Sequence, residues 1–223
     1  MAEGYYILGV SPESQLGVIV QNYLNFINPL EKKLEYETAG MNMKIVQDFL
    51  MFQGAMEEVV KDRTKKGEDI DVILPPDILS KFYYLSGKKK FIEGKFFEAG
   101  KNFEKALKYG SRDPKILYFM GRAFLESKKI NHAENAFKMA IEMDRNNPYF
   151  WVYLGDVYNL AGFPAKAIHV WETALSIDGS FSPAISRLEG KGINVKFKVI
   201  SKKIKSVFKK LFGEKEAKEE KEE

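Results

Sequence analysis

Apolar residues in the middle of the chain recur at the spacing of one helix face. Phe103, Ala106 and Leu107 form such a stripe, and the same three positions are apolar again 34 residues further on. Pro114 and Pro148 stand where further helices begin, a place that tolerates proline because a first-turn N–H has no partner within the helix. The pattern predicts pairs of helices joined by short turns.

An internal repeat of 34 residues organises this region, in segments 80–113, 114–147 and 148–181. Four columns keep their register through all three segments. The small residues of these columns let two helix backbones approach closely, and the large residues fill the space between the helices. The repeated columns are Gly87, Gly121 and Gly155; Ala99, Ala133 and Ala167; Phe103, Phe137 and Trp171; and Ala106, Ala140 and Ala174.

Residues 1–64 lack this repeat but also show helical patterns. A long helix is predicted there from a stripe of apolar residues. Residues 65–77 are predicted as a linker, because they begin polar and end near Pro75 and Pro76, which stop a helix. Residues 182–190 predict a short helix that covers the last apolar face of the repeats. The stripe of the long helix consists of Ile45, Phe49, Phe52, Met56 and Val60.

A basic amphipathic helix is predicted over residues 191–212, followed by a charged, disordered tail at 213–223. Residues 195–212 contain seven lysines and no acidic residue, and the apolar residues from Ile200 onward share one helix face. Such a helix can contact an anionic membrane, pack over the repeats, or dock on another protein. Nucleic acid is not an expected partner, because no aromatic platform interleaves with these lysines. The candidate membrane-contact residues are Lys202, Lys203, Lys205, Phe208, Lys209, Lys210 and Leu211.

Composition narrows the chemistry of the chain. Its 223 residues are 45% hydrophobic, enough to bury a core, and the formal net charge is only +4. The absence of cysteine and the presence of only His132 and His169 argue against disulfides and metal centres. No phosphate-binding loop or catalytic set stands out, so we expect neither an enzyme nor a cofactor. Without a basic leader or a long apolar run, we expect a cytoplasmic protein, or one peripheral to the inner face of the membrane.

The repeat resembles the tetratricopeptide repeat family over about half of the chain. The resemblance implies an α-solenoid of three helical hairpins with a capping helix and a concave face. The first hairpin departs from the pattern at Ser86, where a larger apolar residue is usual. That hairpin is therefore expected to be looser or covered by what precedes it. The third hairpin matches best, through Trp151, Leu154, Gly155, Tyr158, Ala167, Trp171 and Ala174.

The resemblance also places ten first-helix residues on the concave face, where they would bind a partner peptide or helix. The alternative is that the aromatic ones among them belong to the core. Some family members clamp the carboxylate of a chaperone tail with cations, but Lys88 is the only cation at the matching positions, so binding of such tails is not expected. The ten candidate partner-binding residues are Tyr84, Lys88, Phe91, Tyr118, Arg122, Leu125, Tyr149, Val152, Asp156 and Asn159.

The run YYILGVSP at residues 5–12, with Ile19 and Tyr23 after it, resembles the opening of a J-domain, the module that docks on DnaK-type chaperones. J-domains act through a His-Pro-Asp turn and a basic second helix. Here the matching turn reads Asn28-Pro29-Leu30, and residues 15–27 contain no lysine or arginine. The resemblance therefore implies a J-like helical module reused for packing or interaction. An unrelated small helical bundle is the alternative.

The sequence thus predicts an all-α protein in five parts: a J-like module (1–64), a linker (65–77), repeats with their cap (78–190), a basic helix (191–212) and a tail (213–223). The expected function is a non-enzymatic adaptor or scaffold that holds a protein partner in the repeat groove. The alternative is a chaperone accessory protein that acts through the J-like region.

Overall fold

The computed structural model describes residues 3–34, 42–193 and 195, and every regular element in those ranges is an α-helix. The chain divides into two compact units, Met1–Ala140 and Ile141–Glu223. The helices are α1 (Glu3–Ile7), α2 (Leu16–Lys33), α3 (Met43–Lys65), α4 (Ile70–Ile73), α5 (Pro76–Ile92), α6 (Phe96–Lys108), α7 (Pro114–Glu126), α8 (Ile130–Met143), α9 (Pro148–Leu160), α10 (Pro164–Ile177) and α11 (Ser182–Glu189).

The predicted hairpins are α5–α6, α7–α8 and α9–α10, and local sequence sets where their first helices begin. The Asp113 carboxylate accepts the N–H of Lys115 at 2.8 Å, and the Asn147 side chain accepts the N–H of Tyr149 at 3.1 Å. Each cap satisfies an N–H that the helix itself cannot pair, and a proline follows each cap. The prediction of paired helices in this register is confirmed.

Each hairpin is closed by a glycine against an aromatic ring. A Cβ atom at Gly87 would lie 2.6 Å from the ring of Phe103, and one at Gly155 would lie 2.4 Å from the indole of Trp171. The middle hairpin repeats the arrangement. No side chain fits at these distances, so the repeated glycine is required by the approach of the two helices.

The N-terminal helices form a small bundle in which α1 and α2 both pack on α3. Arg63 of α3 is only 9% exposed and fixes the loop after α1. Its guanidinium donates to the Tyr5 hydroxyl at 3.0 Å, to the Pro12 carbonyl at 2.9 Å and to Glu68 at 2.7 Å. Arg63 thus joins α1 and the loop after it to the turn after α3. These polar contacts were not predicted from the apolar stripe of α3.

The predicted turn at Asn28-Pro29-Leu30 is wrong, because these residues lie inside α2. An interior proline normally weakens a helix by about 3 kcal/mol, since it removes a hydrogen bond and crowds the preceding turn. Ile27 and Leu34 are almost completely buried on either side of it. Their burial favours continuation of the helix past the proline.

The segment predicted as a linker contains the one-turn helix α4, which begins at the Asp69 cap. Ile70 and Leu74 of this segment are buried, and the hydroxyl of Tyr83 donates to Asp71 at 2.8 Å. The segment is therefore packed on the first hairpin. The five predicted domain limits stay a prediction.

Helix α3 covers the first hairpin where its sequence departs from the repeat. The buried Gln53 amide donates to the Ser86 hydroxyl at 2.8 Å, and the Tyr23 hydroxyl donates to the Gln53 carbonyl oxygen. Lys89 pairs with Glu57 at 2.6 Å beside this chain of polar groups. The small polar Ser86 is thus a partner for α3, and the expectation that this hairpin is covered by what precedes it is confirmed.

The second unit has its own core, built by α9, α10 and the predicted capping helix α11. Val152, Trp171 and Leu188 meet there, and Val195 is buried against the same cluster. The indole N–H of Trp171 donates to the Val152 carbonyl at 3.1 Å. The cap prediction is confirmed, because α11 closes the apolar face of the last hairpin.

Candidate functional site

The ten candidate partner-binding residues lie on the first helices of the three hairpins, as predicted, with six in the first unit and four in the second. Their exposure differs widely. Tyr84, Lys88 and Phe91 of α5 are buried, at 7%, 4% and 8% exposure. The core alternative, which concerned the aromatic candidates, therefore describes Tyr84 and Phe91, and Lys88 is buried beside them. The role of all three in binding a partner stays a prediction.

Lys88 is held within the first unit by the N-terminal bundle. Its ammonium donates to the backbone carbonyl of Leu34, which follows the last turn of α2. It also lies 5.5 Å from the ring centroid of Tyr84 and 5.0 Å from that of Phe119. Buried charges need such partners, because leaving water without them is costly. The end of α2 thus covers this part of α5.

Helix α7 presents a different surface. Tyr118 is buried, whereas Arg122 and Leu125 are each partly exposed. The Arg122 guanidinium lies 4.9 Å from the ring centroid of Phe91 and 5.6 Å from that of Tyr118. Contact with two rings restricts the motion of this planar cation.

In the second unit, Asp156 is engaged by the capping helix. Arg187 of α11 binds its carboxylate through two hydrogen bonds of 2.6 and 2.7 Å, and the indole of Trp171 donates to the same group at 3.2 Å. The sequence analysis identified Asp156 but missed Arg187. Nothing in the repeat pattern marks this arginine, because the capping helix is not a full repeat.

The other candidates on α9 range from buried to exposed. Val152 is fully buried, Tyr149 packs edge-on against Phe181 at a centroid distance of 4.8 Å, and Asn159 is exposed. Asn159 is thus exposed, while Arg122, Leu125, Tyr149 and Asp156 are partly exposed, each within its own unit.

A cavity of about 550 Å³ opens in the first unit beside Tyr84. Glu31 near the end of α2, Asp77 in the first turn of α5, and Asp113 before α7 contribute three carboxylates to its lining. Lys81 contributes one ammonium. This acidic lining was not predictable from the sequence, since the three acids are far apart in the chain and only the fold brings them together.

Two aromatic residues also line this cavity, Tyr84 and Tyr109. Tyr109 stacks on Tyr83 with a centroid distance of 5.6 Å, so its ring is held in place. Burial, assisted by a hydrogen bond to Asp71, raises the pKa of Tyr109, and its phenol stays neutral at physiological pH. The cavity wall thus combines neutral aromatic surface with an excess of negative charge.

Other chemistry is sparse within the described ranges. No group of three or more histidine, aspartate or glutamate side chains there is placed to hold a metal ion, and His132 and His169 are both exposed. No helix in those ranges has the length and apolarity needed to cross a bilayer. The candidate membrane-contact residues, from Lys202 to Leu211, lie outside the described residues.

No protein-family model and no curated protein matches this sequence. Solved structures do resemble it. Two structures of MamA share 21% and 22% identity with the chain, cover 88% and 79% of it and 97% and 98% of their own length, and have TM-scores of 0.56 and 0.54.

The first tetratricopeptide domain of Spaghetti (RPAP3), solved with an HSP90 peptide, is also similar. It shares 18% identity, covers 56% of this chain and 95% of its own, and has a TM-score of 0.48. Because the MamA structures share only 21% and 22% identity with the chain, their similarity shows the fold alone. That fold is all-α and is built from helical hairpins of the tetratricopeptide type.

Proposed function

We propose that this chain is a non-enzymatic protein-interaction adaptor, which holds a peptide or helix of a protein partner against the first helices of its hairpins. The observation that carries the proposal is the state of Arg122. Its guanidinium lies over Phe91 and Tyr118, the residue as a whole is partly exposed, and the apolar Leu125 is less than one turn away.

Such an arrangement suits peptide recognition for physical reasons. An arginine held on aromatic rings loses little side-chain freedom when it donates to a backbone carbonyl or carboxylate of a partner. An adjacent leucine adds apolar contact area. A cation with an apolar neighbour on a rigid helix therefore provides both orientation and affinity.

The proposal is tested by partner capture with the full chain. Proteins retained by the immobilised parent chain are identified by mass spectrometry, and the affinity of a retained partner is then measured for Arg122→Ala. We expect binding to weaken about tenfold, the effect of losing a charge-assisted hydrogen bond.

Arg145→Ala is the matched control, because Arg145 is exposed and lies outside the ten candidates. It removes the same charge and should leave binding unchanged. Helical content is compared for both variants by circular dichroism. Equal affinities of Arg122→Ala and the parent chain, with both folded, would refute the proposed surface.

The alternative role as a chaperone accessory protein gains no support from the geometry. Asn28, Pro29 and Leu30 are helical, and α2 has no charged side chain from Leu16 to Leu30. An uncharged helix offers no electrostatic match to an acidic docking face. Contact of the C-terminal segment with an anionic membrane likewise stays a prediction from the sequence.

A further inference from the structure

We infer that the cavity beside Tyr84 accepts a lysine or arginine side chain, so that the partner of this adaptor is a basic peptide segment. This inference rests on the proposed function and specifies its partner. Three described elements enclose the cavity: the end of α2, the first half of α5 and the turn between α6 and α7. Its volume of about 550 Å³ exceeds what one long side chain occupies and lies within the ~300–1,000 Å³ range of ligand sites.

Charge decides which kind of side chain fits. Glu31, Asp77 and Asp113 face one ammonium, that of Lys81, so the lining has a net negative charge. Asp113 accepts the N–H of Lys115 through one oxygen, which leaves its second oxygen available as an acceptor. A partner cation would balance this excess, whereas a partner carboxylate would be repelled.

The uncharged lining suits the rest of a long basic side chain. The ring of Tyr84 is almost completely buried and offers apolar surface to a methylene stem. Ser80 donates its hydroxyl hydrogen to the Ala106 carbonyl at 2.8 Å, so a lone pair of its oxygen can accept another donor. Aromatic faces also attract cations. Lysine and arginine combine an apolar stem with several N–H donors, which matches this lining.

The cavity adjoins the candidate partner-binding residues through Tyr84, which is both a candidate partner-binding residue and part of the cavity lining. Further along α5, the ammonium of Lys88 donates to the Leu34 carbonyl and is covered by it. The N-terminal bundle thus leaves the beginning of α5 as its accessible part. A partner that crosses the first hairpin meets the carboxylates there.

The inference is tested with a positional-scanning library of capped decapeptides in which one position is fixed and the others are random. Retention by the immobilised full-length protein is compared for sublibraries with lysine, arginine, norleucine or glutamate at the fixed position. We expect the lysine and arginine sublibraries to be retained about fivefold more than norleucine, and glutamate to be retained least. Raising the salt concentration should reduce this preference.

The double variant Glu31→Gln/Asp77→Asn should lower the preference for lysine over norleucine to about one. The control Glu126→Gln/Glu142→Gln removes the same charge from exposed positions outside the cavity and should keep the preference. Melting curves of both variants verify that they fold.

The outcomes separate this inference from the proposed function. Retention of all four sublibraries to the same extent, or an unchanged preference in the cavity variant, would overturn the basic-partner inference and leave the adaptor proposal intact. Equal loss of preference in both double variants would show that net charge, not the cavity, selects the peptide, and would also overturn it. If no sublibrary were retained, both proposals would fail.

Discussion

Lys128 has a backbone conformation that the other two hairpins give to glycine. The turns between the paired helices place Gly94, Lys128 and Gly162 at φ angles of 75°, 59° and 81°, and the three positions are 34 residues apart. A left-handed backbone costs a residue with a Cβ atom roughly 1–2 kcal/mol. The middle turn is therefore the strained member of the set.

Replacing Lys128 by glycine should stabilise the protein by about 0.5–1 kcal/mol, because the strain removed exceeds the added flexibility of the unfolded chain. The melting temperature from circular dichroism should rise by a few degrees. Lys61→Gly makes the same substitution at an exposed position within α3; it is the control and should lower the melting temperature. A lower melting temperature for Lys128→Gly would contradict the account of the turn.

The glycine column makes the opposite prediction. Gly155→Ala places a methyl group 2.4 Å from the Trp171 indole and should destabilise the second unit by about 1–3 kcal/mol. Gly17→Ala is the matched control, since nothing lies within 4 Å of a Cβ atom there, and it should be neutral or slightly stabilising. The two melting curves should shift apart; parallel shifts would show that helix contact is not the reason for the repeated glycine.

Among the elements, α11 is joined to α9 by an ion pair in addition to the shared apolar core. Asp156→Asn removes the charge that Arg187 binds and should cost about 1–2 kcal/mol, because both side chains are partly shielded from water. Hydrogen exchange should become faster in α11 while α5 and α6 keep their protection. Uniform protection in the variant would show that apolar packing alone holds the capping helix.

Helix α2 leads to a negative prediction. The purified chain should not stimulate ATP hydrolysis by a DnaK-type chaperone, because residues 28–30 continue the helix and no basic side chain lies between Leu16 and Leu30. A genuine J-domain in the same assay supplies the positive control. Clear stimulation would make the chaperone accessory role the better hypothesis.

For the whole molecule, the basic C-terminal segment predicts binding to anionic vesicles. The full chain should sediment with them at low salt and be released as salt rises, since exposed charges are screened beyond about 10 Å at 0.1 M. Deletion of residues 196–212 removes seven lysines, changes the formal net charge from +4 to −3 and should abolish sedimentation. The deletion begins after Val195 because that residue belongs to the core of the second unit.

If the segment instead packs on folded protein, the deletion lowers the melting temperature and vesicles have no effect on the full chain. A replacement of the seven lysines by glutamine keeps the length of the chain and provides the control for charge. Sedimentation of the deletion variant would contradict membrane contact through this segment.

The hairpins, their register and the capping helix were predictable from the sequence. These features follow from information that is local or strictly periodic: apolar spacing, prolines where helices begin at Pro114 and Pro148, and small and aromatic columns that recur in every unit. Ser86 indicated that the first hairpin would be either looser or covered by what precedes it, because a small polar residue replaced an apolar one. The continuation of α2 through Pro29 was not predicted, because the burial of Ile27 and Leu34 outweighed the helix-breaking tendency of proline.

Which candidate residues are buried and which are accessible depends on tertiary contacts that the sequence did not reveal. The Lys88 ammonium donates to the carbonyl of Leu34, 54 residues earlier, and the Asp156 carboxylate accepts from Arg187, 31 residues later. The acidic cavity likewise depends on Glu31 and Asp113 meeting beside α5. Contacts between residues so distant in sequence leave no periodic trace, because they depend on how helices pack and not on the spacing along any one of them.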